Sequence, residues 1–191
     1  MTQMSREEII KKIRSGESLA DINLRGVDLS YESLKGANLS GLDLSEAHLQ
    51  NSNLEGVNLQ GAVLEKAFLF GANLLKANLD GANLTDANLQ DSNLDDASLK
   101  KTILVHTSLF GSSMEKADLS GAVMTRARMK RANLRHAKLD HAQLQNAHLE
   151  RADLSNASFK GADLTQASFT NATIVKTDFT GATTEGAIGL S

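Results

Sequence analysis

The sequence predicts an all-β solenoid, a slim rod of stacked four-sided coils with a short helix lying across its N-terminal end. Three observations carry this reading. A large apolar residue stands at every fifth position from Leu24 to Phe179, 32 in succession; 25 are Leu and the others are Met114, Met124, Met129, Phe159, Phe169, Ile174 and Phe179. Two residues before each stands a smaller one, Ala in 21 of the 32 cases. Glycines two places after the apolar residue favour one phase, since Gly41, Gly61, Gly81, Gly121, Gly161 and Gly181 are separated by multiples of twenty. A period of five matches neither a helix nor a long alternating strand, so the repeat reads as a stacked array with a twenty-residue lap.

In chain order, residues 1–21 form an N-terminal segment. Ser5 followed three residues later by Glu8 is a capping-box signature, Ile9, Ile10 and Ile13 share an apolar side, and Gly16 stops the run. These signals predict a helix over residues 6–15, packed on the first coil. Ile22, Val27 and Leu42 replace the usual Ala nearby, as if the first layers were widened to meet it. Glu32 is the one charged residue at an inward position, and it is expected to lie beneath the cap and pair with a helix lysine or with solvent.

Residues 22–181 form the repeat body. In the unit Ala82-Asn83-Leu84-Thr85-Asp86, residues two apart share a face of an extended stretch. Ala82 and Leu84 therefore point inward, Asn83 points outward, and Thr85-Asp86 turns the chain. With a twenty-residue lap, Leu24, Leu44, Leu64, Leu84, Leu104, Met124, Leu144 and Leu164 stack as one column of the core. Ala beside Leu keeps that core narrow. Asn and Asp before the central Leu, as at Asn53, Asn73 and Asn93, are expected to bond neighbouring backbone rather than form a binding ladder.

The units Ala37-Asn38-Leu39-Ser40-Gly41, Ala72-Asn73-Leu74-Leu75-Lys76 and Ala162-Asp163-Leu164-Thr165-Gln166 resemble the A(D/N)LXX unit of the pentapeptide-repeat family. The resemblance covers about residues 22–181 and implies a right-handed quadrilateral parallel β-helix of about eight coils. It also implies a bacterial protein, and in some members of the family dimerisation through the C-terminal end.

Residues 182–191 form a short tail with Ile188 and Leu190 as its only anchors. Two arrangements are open: the tail folds over as a minimal cap, or the end pairs with a second copy as an end-to-end homodimer. Phe159 and Phe179, one lap apart, suit either.

Composition excludes several function classes. With 20 basic and 23 acidic residues and a net charge of −3, the chain is neither a polycation for nucleic acid nor a polyanion. The absence of cysteine removes thiolate nucleophiles, disulfides and Cys-ligated metals. No membrane span or secretory leader stands out, so a cytoplasmic protein is expected. His48, His106, His136, His141 and His148 are scattered without ligand spacing, and no catalytic motif stands out, so no enzyme, cofactor or metal site is expected.

The informative departures are large apolar residues at outward positions. Phe68, Phe70 and Phe110 fall on one side of the rod, while Val63, Ile103, Val105 and Val123 fall on the adjoining side. Such a cluster points to a protein contact surface. Charge is graded as well. Asp80, Asp86, Asp91, Asp95 and Asp96 form an acidic band, and Arg126, Arg128, Lys130, Arg131, Arg135 and Lys138 a basic one.

The first functional reading is a non-catalytic scaffold or adaptor that presents a rigid surface to an unidentified protein partner. A second, implied by the resemblance, is a DNA-mimicking regulator of a type II topoisomerase such as gyrase. Duplex DNA carries one charge per ~1.7 Å, so a net charge of −3 imitates it poorly, and register never breaks for an inserted loop. Direct nucleic-acid binding lacks an aromatic platform. A purely structural role without a specific partner is the third reading.

Overall fold

The computed structural model describes residues 4–19 and 22–190. Its organising feature is a ladder of parallel bridges between residues twenty apart, from Asp28↔His48 to Ser168↔Ile188. Consecutive bridges start at Asp28, Ser33, Asn38 and Asp43, and the next, at His48, stacks on the first, so each lap has four sides. A turn follows each bridged residue up to Thr183, so no side among the described residues extends into a longer strand. The extended stretches expected from the sequence shrink to single-residue rungs because five residues must supply both a side and a corner.

The backbone accounting over residues 84–88 explains the sequence pattern. Leu84 N donates to Ile103 O (2.7 Å), Asp86 N to Val105 O (3.0 Å), Ala87 N to Leu84 O (3.0 Å) and Asn88 N to Ala67 O (2.9 Å). The remaining N–H, that of Thr85, donates to Asn83 Oδ1 at 3.0 Å. Buried or half-buried N–H groups need a partner, and Asn or Asp before the central Leu supplies it for the one group that the ladder misses. At Ser98, Ser113 and Ser158 an aspartate of the preceding coil takes over. Asp80 Oδ1 accepts from both Lys100 N (2.9 Å) and Ser98 Oγ (2.6 Å). Asp95 does the same for Glu115 N and Ser113, and Asp140 for Lys160 N and Ser158.

The core is a stack of Leu and Ala layers. Leu44, Leu64, Leu84, Leu104, Met124, Leu144 and Leu164 are fully buried and Leu24 is 2 % exposed. Hydroxyls at Ala positions are absorbed by carbonyls, as where Thr107 Oγ1 donates to Leu84 O (2.7 Å) and Ser92 Oγ to Leu89 O (2.7 Å).

At the corners the backbone is left-handed whether or not Gly is present. Lys116 has φ 60° and Arg131 φ 62°, and no Val, Ile or Thr occupies such a corner among the described residues. A left-handed conformation costs an ordinary L-residue roughly 1–2 kcal/mol and a β-branched one more. Lys116→Gly is therefore expected to be near-neutral, relieving strain but adding unfolded-state entropy. Lys116→Val is expected to lose about 1–3 kcal/mol. Urea titration of the two variants checks this.

One helix precedes the coils. α1 spans Arg6–Ser15, with the reciprocal Ser5–Glu8 capping box at its start and Gly16 in the left-handed conformation at its end. Ile9, Ile10 and Ile13 are buried and join the core, with Ile22, Val27 and Leu42 packed partly buried against it. Its arginines complete the first coil's edge. In later coils the carbonyls of His48, Gln50 and Asn53 accept from Leu29, Tyr31 and Leu34 of the coil before. The equivalent first-coil carbonyls are those of Asp28, Ser30 and Ser33. Arg6 donates to Asp28 O (3.0 Å) and Ser30 O (3.1 Å), and Arg14 to Ser33 O (3.4 Å). Glu32 lies between them, paired with Arg6 and Arg14 at 2.8 Å each. Its partners are thus two arginines, not a lysine, because only the guanidinium fork spans carbonyl and carboxylate together.

At the other end, residues beyond 181 continue the coil rather than folding across it. Thr183 and Ile188 bridge to Asp163 and Ser168. Inside this last stretch Phe159 and Phe179 stack with centroids 5.3 Å apart, and Phe169 meets both edge-on. Ile174 and Phe179 are only partly buried, and Val175 and Ile188 are exposed. Residues 1–3, 20, 21 and 191, which belong to the two terminal segments proposed from the sequence, lie outside the described residues.

Candidate protein-binding surface

The twenty-residue lap assigns every outward side chain to a side. Asp28, His48, Phe68, Asn88, Ser108, Arg128, His148, Ser168 and Ile188 run in one bridged column, with Phe70 and Phe110 two residues beyond members of it. The adjoining column contains Asp43, Val63, Asn83, Ile103 and Val123, with Val105 two residues beyond Ile103. Each side therefore gathers residues that are remote in sequence.

Phe68, Phe70 and Ile103 are exposed to 44 %, 42 % and 37 %, while Val63, Val105, Val123 and Phe110 are half-buried. Ile103 and Val123 are bridged neighbours, whereas Asn83 separates Val63 from Ile103 and the coil of Gln90 separates Phe70 from Phe110. The seven residues thus form several apolar spots on two adjacent sides rather than one continuous patch.

Two contacts shape these spots. His48 stacks on Phe68 with ring centroids 4.8 Å apart. The Arg131 guanidinium lies over the Phe110 ring, 5.8 Å from its centroid. Neither His48 nor Arg131 was singled out for this surface from the sequence. The signal was present, since the offsets are twenty and twenty-one residues, one lap apart. Gln90 Nε2 donates to Ser108 Oγ (2.9 Å) between the two phenylalanines.

The other polar candidates are occupied structurally. Asn58 Nδ2 donates to Asn38 Oδ1 (3.0 Å) and Asn73 Nδ2 to Asn53 Oδ1 (3.3 Å), which ties successive coils together. His106 lies 3.4 Å from Asp86 and His148 3.3 Å from Glu150. No cluster of three or more His, Cys, Asp or Glu suited to a metal ion occurs among the described residues. No helix among them is long and apolar enough to cross a membrane.

The aspartates before a central Leu carry a pH signature. The Ser45 hydroxyl and N–H hold the Asp43 carboxyl below its ordinary value of 3.8, and Thr165 does the same for Asp163. A depressed folded value means that the unfolded chain binds the proton more readily. The stabilisation is complete above the ordinary aspartate range and is lost as pH falls through the folded value. Asn keeps the same turn at Asn83, where it accepts from Thr85 N and Oγ1. Asp43→Asn/Asp163→Asn is therefore expected to match the wild type near neutral pH and to lose less stability between about pH 5 and pH 3. Urea midpoints across that range check it.

The family of pentapeptide repeats matches with 8 copies, over residues 18–56, 37–74, 77–115, 112–151 and 147–183. The chain belongs to the pentapeptide-repeat family. Members of this family are right-handed quadrilateral β-helices, in keeping with the four-sided lap seen here. Among solved structures, HetL from the cyanobacterium Nostoc sp. strain PCC 7120, a protein involved in heterocyst differentiation regulation, is 32 % identical. The alignment covers 96 % of this chain and 94 % of HetL, with a TM-score of 0.43. QnrB1, a plasmid-mediated fluoroquinolone resistance protein, is 18 % identical over 84 % of this chain and 92 % of its own, with a TM-score of 0.62, and shares the fold. Comparison with curated proteins gave no match. Within the repeat frame of this pentapeptide-repeat protein, central Leu, inward Ala and turn-closing Asn are accounted for by the coil itself. The exposed aromatics are not.

Proposed function

We propose that this pentapeptide-repeat protein is a non-catalytic scaffold that binds a protein partner through the side carrying Phe68, Phe70 and Phe110 and the adjoining side carrying Ile103. The observation that supports it most is the exposure of Phe68 and Phe70 at 44 % and 42 % on a backbone tied rung by rung. A pre-ordered lattice loses little entropy on association, so a few aromatic anchors can dominate affinity. The test is a crosslinking capture from source lysate with wild type beside Phe70→Asp/Phe110→Asp, the fold of the variant being checked by circular dichroism. A protein retained only by wild type is expected; identical captures would refute this surface. The last layer, with Ile174 and Phe179 partly buried, favours end-to-end pairing with a second copy as an added contact. Sedimentation velocity of wild type and Phe179→Asp tests that pairing. DNA mimicry is disfavoured by the net charge of −3 and by the basic band that follows the acidic one, and Asp80 and Asp95 of the acidic band also hold serines and N–H groups of the next coil.

A further inference from the structure

The basic band divides into paired and unpaired charges once it is wrapped on the coil. Within the band Arg135 faces Asp153 at 3.5 Å, as Lys100 and Lys160 outside it face Asp118 and Asp178. Arg128, Lys130 and Arg151 take part in no ion pair or side-chain hydrogen bond among the described residues, and Arg131 has only its contact with the Phe110 ring. The lap brings Lys130, Arg131 and Arg151 together, with Arg128 two residues before Lys130 in the bridged column. Arg128 is bridged to Ser108 and His148. Lys130 O accepts from Gly111 N (3.1 Å), and Arg131 and Arg151 stand at the same corner in successive coils, with φ 62° and 61°. Phe110, Lys130, Arg131, Glu150 and Arg151 line a shallow depression there. Its one carboxylate, Glu150, already faces His148 at 3.3 Å.

We propose that this depression is a docking site for an acidic peptide segment of a protein partner, with carboxylates on Lys130, Arg131 and Arg151 and an apolar side chain on Phe110. The proposal rests on the scaffold reading and adds the chemistry of the partner. Guanidinium forks match carboxylates in bidentate geometry, and unpaired bases beside an aromatic ring bind without first breaking an internal ion pair. An arginine already resting on the ring is pre-positioned, which lowers the cost of ordering it. Nucleic acid fits less well. From Phe110 to Arg151 the patch spans two coil steps, about 10 Å at the usual strand spacing. That length meets only a few phosphates, and nucleic-acid affinity grows with the number neutralised.

The experiment uses the full chain and three fluorescent probes: an acidic heptapeptide of Asp and Glu around one Phe, its Asn/Gln counterpart, and a 20-base-pair duplex. Anisotropy at moderate salt is expected to show the acidic peptide binding at least about tenfold more tightly than its neutral counterpart. Arg131→Glu/Arg151→Glu is expected to abolish that preference, and both positions accept Glu because Glu46 holds the same backbone conformation (φ 60°). Lys76→Glu, a charge reversal at another corner (φ 57°) outside the depression, should leave peptide affinity within about twofold. Equal binding of both peptides, an unaffected double variant, or tighter binding of the duplex overturns the proposal. The scaffold reading fails separately, by identical lysate captures with Phe70→Asp/Phe110→Asp. If those captures differ while the acidic peptide does not bind, only the acidic chemistry is lost.

Discussion

Replacing Ile10 and Ile13 of α1 by aspartate is expected to cost about 3–6 kcal/mol and to make the protein self-associate. Both side chains are buried, at 6 % and 5 % exposure, against the first Leu layer. Each is worth roughly 1.5–3 kcal/mol in transfer from water. When the helix leaves, Arg6 and Arg14 leave with it. The carbonyls of Asp28, Ser30 and Ser33 and the apolar ends of Leu24 and Leu29 then face water as an open sheet edge, which is a template for pairing with another chain. Urea denaturation measures the first effect, and sedimentation velocity over a concentration series measures the second. A variant that keeps the wild-type sedimentation profile and wild-type stability would show that the helix is an ornament rather than a cap.

Leu104→Ala is expected to lose about 2–5 kcal/mol, the range for a buried Leu whose surroundings cannot collapse into the space. Its column neighbours Leu84 and Met124 are fully buried too, and each is held by its own ladder bonds, such as Leu104 N to Val123 O at 2.7 Å. In a solenoid each coil touches only the next, so a cavity here weakens the coupling between the two halves of the rod. Phe179→Ala removes a larger side chain but from a partly buried layer, and it is expected to cost less. Equilibrium unfolding ranks the two, and hydrogen exchange locates the weakened coils.

The period and the glycine phase made the lap legible, because only one stacking offset keeps Leu on Leu and Gly41 under Gly61. The helix bounds were equally legible, since Ser5, Glu8 and Gly16 each act locally. What the sequence hid were side-chain partners across coils. Glu32 meets two arginines of α1, and Asp80 replaces an absent Asn by reaching Ser98 in the next coil. Such choices depend on which side chain reaches which rung, and the period carries no information about reach. The surface was half legible. Phe68, Phe70, Phe110 and Ile103 were marked as departures from the repeat, but their division into separate spots, the His48 stack and the Arg131 lid appear only when the coil is closed. The basic band read as one stripe in sequence, yet Arg135 turns to Asp153 on another side.

A twenty-residue lap, and nothing longer-ranged, holds the rod together. Removing residues 57–76 deletes one lap and sets Asn38 beside Asn78, Asn53 beside Asn93 and Leu44 beside Leu84, like on like. Removing residues 57–75 leaves Lys76 as one surplus corner residue and puts every following side chain out of phase. Thermal unfolding of the two deletions side by side is the most direct measurement. The first should melt as a single cooperative transition near that of the full chain, and the second should lose cooperative melting or unfold in separate blocks. Similar melting of both deletions would show that lap register does not hold the rod together.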